Sequence, residues 1–460
     1  MLRIIHWLLI GAVYLLLFGK ALFELSTDWD FLSYHLPGAL SRFGLTSLIP
    51  HWKTQAIYEG FPPLANTMQG FFALICGRIS AANALNSVGF LLCLCGLKVL
   101  FGKNLSLRWF LTFCLSIPLI VRHLYSGYID LWSNLFLMLA FAALIKFFEN
   151  RHNKQAQLIF FCSIAASVFS KYLTWPIAAL LSSVFVFSLL RDFSKNRKQL
   201  AFGIVILVLI FFSWPIRNYA SYSNPVYPIV LSFFPKETPG LHYLGARRPK
   251  EKNTPEYLHE STNFFRFISS AYELNRLQSS PYKYEWSYDQ AARTFREPGA
   301  RASPHQRMGG WFIASMSILS FLFLLALFRR SIPTPAGATF LGCFILTAIM
   351  PQSHELRYWL YIPLSLILLF VLHEKSYPRH ILIAARGLLS ICACYVLFSL
   401  SPYPIDWSTP EAYAQPAAKK FWNQHPQATE PICITAPRDQ ALFFAGPSFS
   451  EIPVRYCEEN

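Results

Sequence analysis

Long apolar runs separated by short polar connections dominate the chain, at 4–24, 82–101, 107–122, 130–148, 157–172, 174–190, 200–217, 311–328, 336–350, 358–373 and 381–400. A helix needs about 20 mostly apolar residues to cross the hydrocarbon of a bilayer, so the pattern predicts about 11 transmembrane helices, several of them short. The first run follows Arg3 and leads into Lys20 and Glu24 without a small-residue cleavage pattern, so it reads as a retained anchor. A further amphiphilic piece, Phe61 to Ile79, opens on Pro62 and Pro63, residues tolerated at a helix start. It is short and carries Arg78 near its end, which predicts an interfacial or re-entrant helix rather than a span. The expected fold class is an all-α polytopic membrane protein. Its membrane domain occupies 1–400, with a first outer loop at 25–81, a larger outer loop at 218–310 and a small C-terminal segment at 401–460.

Composition agrees with this reading. The chain is 54% hydrophobic and only 14% charged, against about 25% charged in soluble domains. The net charge of +16 does not call for nucleic acid, because much of it sits in short connections between apolar runs. Lys103, Arg108, Arg151, Lys154, Arg191, Lys195, Arg197, Lys198, Arg329, Arg330, Lys375 and Arg379 all fall on one side, together with Arg3. Short loops rich in Lys and Arg stay in the cytoplasm, which predicts a cytoplasmic N-terminus and an outer C-terminus in the inner membrane. The loop 218–310 is too long to vote on orientation. Most cysteines, such as Cys93, Cys95, Cys392 and Cys394, lie in apolar runs and act as small hydrophobes. Cys433 and Cys457 lie in the polar tail, where an outer location permits a disulfide.

Candidate chemistry gathers at the outer ends of the predicted helices: Asp28, Asp30, His35, Asp130, Lys171, Arg217, His354, Glu355 and Arg357. The helix middles are almost free of acidic groups, unlike a transporter with midplane ligands. A carboxylate can take a proton from a hydroxyl, and Lys and Arg can hold a phosphate, Arg bidentately. Reaction at the interface then has a lipid phosphate as leaving group, its growing charge offset by the cations. Each residue also has a structural alternative. Asp30 can cap the helix that follows, Lys171 can reach from a helix end to the interface, and Arg357 can pair with Glu355. Trp132, Trp175 and Trp359 suit an interfacial aromatic belt.

These residues stand in an order that resembles the GT-C-fold glycosyltransferases, which include protein O-mannosyltransferases and the lipid A aminoarabinose transferase. The resemblance rests on Asp30, Tyr34, His35, Leu36 and Pro37 after the first helix, and on Pro62, Pro63 and Leu64 before the interfacial helix. It continues through Tyr128, Ile129 and Asp130, the pair Lys171 and Tyr172, then Arg217, Asn218, Asn224, Pro225, Tyr227 and Pro228, and finally Glu355, Leu356, Arg357 and Tyr358. It implies inverting transfer of a sugar from a polyprenyl-phosphate donor to an acceptor hydroxyl, on a glycan, lipid or protein, at the non-cytoplasmic face. Asp30 would be the catalytic base, and Lys171, Arg357, Arg217, His35, Tyr34, Asp130 and Glu355 would bind substrate and phosphate. Protein O-mannosyltransferases carry an adjacent Asp-Glu pair, whereas Trp29 here separates Asp28 from Asp30, leaving Asp28 a rival base and the acceptor class open. No cofactor is certain. Some relatives use a divalent cation, for which Asp28 and Asp30 are a thin ligand set. The alternatives are a lipid-linked glycan flippase or transporter, a glycan polymerase or ligase, and a non-catalytic scaffold.

Overall fold

The computed structural model describes residues 2–24, 26, 30–45, 59–191, 193–229, 260–272 and 311–399, with two short strands beyond. The predicted apolar runs are helical. In chain order they form α1 (Leu2–Phe23), α2 (Leu36–Ser41), α3 (Leu64–Cys76), α4 (Leu85–Phe101), α5 (Leu107–Cys114), α6 (Pro118–His123), α7 (Asp130–Glu149) and α8 (Lys154–Val168). There follow α9 (Trp175–Leu190), α10 (Phe193–Tyr222), α11 (Asn263–Ala271), α12 (Ile313–Phe328), α13 (Thr334–Ile349), α14 (Tyr361–Leu372) and α15 (Arg379–Ser399). Among the described residues, 6 helical stretches are both long and apolar enough to cross a membrane, and shorter apolar helices fill most of the other predicted runs. With its apolar outer surface, the chain is a multi-pass membrane protein.

One predicted span is two helices. The run 107–122 divides into α5 and α6 because Pro118 has no N–H to continue the ladder. Ser116 Oγ donates to the Phe113 carbonyl across the break, at 2.7 Å. In the first loop, the predicted amphiphilic piece is α3. It buries Asn66, Gln69, Gly70 and Ala73 and leaves Phe71, Leu74 and Ile75 exposed. Gly77 ends it in the left-handed conformation, φ 61°, which costs a residue without Cβ little.

The central element is α7, buried over nearly its whole length and packed on α4, α8, α9 and α14. Small and polar residues let it sit close to its neighbours. Gly89 on α4 faces the Trp132 ring so closely that an added Cβ would lie 2.6 Å from it. Asn134 binds two elements at once, donating to the Asp130 carbonyl at 2.7 Å and accepting from the Tyr361 amide at 3.0 Å. In lipid, where apolar surface alone does not separate protein from solvent, such packing and interhelical hydrogen bonds hold helices together. The outer helices α1, α10 and α15 expose Leu8, Leu15, Phe202, Leu209, Ile391 and Phe398, an apolar surface suited to hydrocarbon rather than water.

In the tail, the all-helical expectation is joined by β1 (Ile432–Ile434) and β2 (Val454–Tyr456), which pair in parallel with Cys433 opposite Arg455. Cys457 and most of 401–460 lie outside the described residues, as do Asp28 and most of the loop 218–310.

Candidate active site

A single asparagine shapes the rim on which the site stands. Asn86, near the start of α4, directs its side-chain amide to the carbonyls of His123, Ser126 and Tyr128, at 2.8, 3.3 and 2.5 Å. Its Oδ1 accepts from the Trp132 amide at 2.9 Å. The connection between α6 and α7 is thereby fixed, and with it Tyr128 and Asp130. Gly127 in this connection lies against the Phe31 ring with no room for a side chain, which holds the segment after α1 beside it.

Four charged groups converge here from four separate parts of the chain. Asp30 begins a single π-helical turn, Phe31–His35, in helical conformation and makes no side-chain capping bond. Its carboxylate instead meets Arg357, with Oδ2 2.8 Å from Nη1. Asp130, at the first turn of α7, is paired with Lys171 from the connection between α8 and α9. The side chain of Asp130 is 1% exposed and that of Lys171 18%. Burial presses the Lys171 ammonium below its usual value, while Asp130 favours the charged form.

The two cations share an aromatic frame. Lys171 Nζ lies 4.2 Å from the centre of the Tyr358 ring, and the Arg357 guanidinium lies 4.8 Å from the same ring and 4.6 Å from that of Tyr128. Arg357 Nη2 also donates to the Tyr358 hydroxyl at 3.0 Å. Desolvated cation–π contacts contribute up to about 2 kcal/mol, so the rings hold the cations in place as well as screening them from water. Among the described residues the buried Arg357 Nε has no acceptor. Tyr34 lies within electrostatic reach of Asp30, Arg357 and Asp130, and burial keeps its phenol protonated well above the ordinary range.

A second cluster stands beside the first. Arg217, near the end of α10, donates to the Glu59 carbonyl and to Asn218 Oδ1, both at 2.8 Å. The Gly60 carbonyl accepts from Trp214 Nε1, Asn218 Nδ2 and the Tyr172 hydroxyl, at 2.8, 2.8 and 3.3 Å. Tyr222 donates to the Glu59 carboxylate at 3.0 Å. These bonds tie the first loop, just before α3, to α10. Arg217 is thus brought to the neighbouring cluster, whereas Lys171 and Arg357 share the first. Glu355 lies 3.8 Å from His354 Nε2.

His35 completes the first loop's contribution. Its Nδ1 donates to Asn66 Oδ1 on α3 at 2.9 Å in a buried setting. Burial holds the imidazole down at about 4, against the pull of Asp30. Folded His35 therefore stays neutral between about pH 6.5 and about pH 4, whereas unfolded His35 takes up a proton in that window. Stability is expected to be full above pH 6.5 and to fall toward pH 4, by on the order of 3 kcal/mol. Thermal unfolding of purified protein across this window, with His35→Gln as the comparison, checks it. The variant should show a flatter profile, and equal slopes would remove His35 as the cause.

Sequence reasoning passed over Asn66, Glu59 and Trp214. Asn66 had one readable signal, an amide on the buried face of an amphipathic helix. Nothing marks Glu59 or Trp214 in the sequence, because their roles depend on Gly60 reaching α10.

Asp28, which with Asp30 would be the thin ligand set for a divalent cation, lies outside the described residues, and Asp30 and Asp130 each face a basic side chain. Among the described residues, no group of three or more His, Cys, Asp or Glu is placed to hold one.

No family model matches the sequence, and no curated protein matches it significantly. Among solved structures, the chain is similar to ArnT from Cupriavidus metallidurans in the apo state, at 12% identity and TM-score 0.55 over 98% of this chain and 85% of that one. It is also similar to ArnT from Cupriavidus metallidurans bound to undecaprenyl phosphate, at 11% identity and TM-score 0.52 over the same shares. At such identity the likeness establishes the fold: this chain has the ArnT-like GT-C architecture.

Proposed function

We propose that this protein transfers a sugar from a polyprenyl-phosphate donor to an acceptor hydroxyl at the non-cytoplasmic face of the inner membrane. One observation carries the reading: Asp30, Asp130, Lys171 and Arg357 meet at one rim of an ArnT-like helical bundle. The neighbour bound to undecaprenyl phosphate supports a lipid-linked donor.

In the proposed reaction Asp30 takes the proton of the acceptor hydroxyl as its oxygen attacks the anomeric carbon. The bond from that carbon to the phosphate oxygen breaks, and its electron pair leaves with the polyprenyl phosphate. Attack from the side opposite the leaving group inverts the centre. Lys171 and Arg357 offset the charge that grows on the departing phosphate. Arg357 now holds the very carboxylate that must act as base. An arriving phosphate draws the guanidinium to itself, so donor binding releases Asp30. Tyr34 and His35 stand beside Asp30 to orient substrate, and Asp130 keeps Lys171 charged. Arg217 serves by fixing the first loop, while Glu355 and the outer loop 218–310 help select the acceptor.

Membranes containing the protein, given polyprenyl phosphate charged with a radiolabelled sugar, should pass label to an acceptor and release polyprenyl phosphate. Label that crosses the bilayer still attached to its lipid would instead make the protein a flippase.

A further inference from the structure

At the end of the bundle away from Asp30, a second charged assembly gathers around one indole. Trp109 on α5 carries the Arg386 guanidinium over its ring at 4.7 Å and that of Arg108 at 5.3 Å. The His6 ring meets it edge-on at 4.9 Å. Arg3 and Arg386 both lie within electrostatic reach of Arg108. The acid in this setting is Glu374, which accepts from Arg386 Nη2 at 2.6 Å. Among the described residues, three guanidinium groups thus share one carboxylate, a net positive balance that a bound anion would offset.

A second, independent observation points the same way. Arg386 Nε and Trp109 Nε1 are both buried, and neither has an acceptor among the described residues. A buried N–H without an acceptor is costly, and such gaps are rare in folded proteins. Two in one place mark an incomplete site. The surroundings decide what completes it. α5 packs against α1 on one side and α15 on the other. Both flanking helices expose apolar side chains near the cations, Ile4 and Leu8 on α1 and Ile383 and Leu388 on α15. Next to Arg386, Gly387 opens onto empty space. The ligand that fits has a single negative head at the level of the cations and hydrocarbon along α1 and α15.

We infer that the junction of α1, α5 and α15 binds the phosphate headgroup of an anionic phospholipid in the leaflet away from the reaction site. Basic pockets between membrane helices take such headgroups through charge and N–H donors. The indole supplies a flat, polar-edged wall at the depth where headgroups lie. The site is separate from Asp30 and its neighbours, so its test does not depend on the transferase reading.

Native mass spectrometry of the delipidated full-length chain in mild detergent tests it, with phosphatidylglycerol, phosphatidylcholine of the same acyl chains and polyprenyl phosphate as probes. Phosphatidylglycerol should bind more tightly than phosphatidylcholine. Combined Arg3→Gln and Arg108→Gln substitution should weaken phosphatidylglycerol by about 25-fold, roughly fivefold for each cation lost. Phosphatidylcholine and polyprenyl phosphate should bind that variant as before. Trp109→Phe keeps the ring, loses the N–H and should also weaken phosphatidylglycerol selectively, which preserves the test if the double variant does not fold. Equal binding of the two phospholipids, or unchanged phosphatidylglycerol binding in the variants, overturns the inference. So does full displacement by millimolar inorganic phosphate, which would mark a small-anion site. Loss of polyprenyl phosphate in place of phosphatidylglycerol would mark a second carrier site and overturn it equally.

Discussion

Asp30→Asn is expected to lower sugar transfer by about 10²- to 10⁴-fold, the usual contribution of a positioned general base, while the protein stays folded in membranes. The substitution keeps the size of the side chain and an oxygen that accepts from Arg357, but removes the charge and the ability to take a proton. The loss should fall on kcat. Donor affinity should hold or tighten, because Arg357 no longer has to leave a carboxylate to meet the phosphate. Arg357 keeps its hydrogen bond to the Tyr358 hydroxyl and its place over the Tyr128 and Tyr358 rings, and the new amide oxygen still accepts from it, so unfolding is not expected. Turnover and donor KM in reconstituted membranes, with Asp28→Asn alongside, decide the matter. Full activity in Asp30→Asn with loss in Asp28→Asn would move the base to Asp28.

Asp130→Asn should act on stability first. It leaves the Lys171 ammonium beside a neutral amide in a site where its former partner is 1% exposed. Removing one member of a buried ion pair typically costs about 3–5 kcal/mol, because the other charge is left without compensation. Removing both should cost much less, since the desolvation of two charges disappears with their attraction. Adding Lys171→Met to Asp130→Asn is therefore expected to restore most of the stability while leaving the protein unable to hold phosphate there. Chemical or thermal unfolding of the purified variants in one detergent checks both expectations. A double variant less stable than the single would show that the pair is not what keeps this corner closed.

The membrane architecture was legible because apolar runs of helix length have no other use in a chain of this composition. The site was legible in part for the same reason: charge is costly in hydrocarbon, so Asp30, Asp130, Lys171 and Arg357 stood out against their surroundings. Their pairing was not legible. Sequence proximity put Glu355 beside Arg357, but the fold delivers Asp30, more than three hundred positions earlier in the chain. The division of Arg217 from the other cations was equally hidden, since it depends on the Gly60 carbonyl being captured by α10. Asn86 gave no sign of its role, as its partners are backbone carbonyls whose location only the folded chain defines. The break between α5 and α6 was readable in Pro118, yet the apolar content of 107–122 outweighed it.

The succession of Lys171 and Tyr172 has its own consequence. One side chain reaches the Asp130 pair and the next reaches the Gly60 carbonyl and Asn218. Lys171 is extended and Tyr172 opens a short 3-10 turn, so a single added residue between them would turn one of the two away, and both partner sets cannot be kept once the spacing changes. Substitution can tune each neighbourhood by itself, but insertion or deletion there must sacrifice one, which makes this dipeptide the least negotiable spacing on the rim.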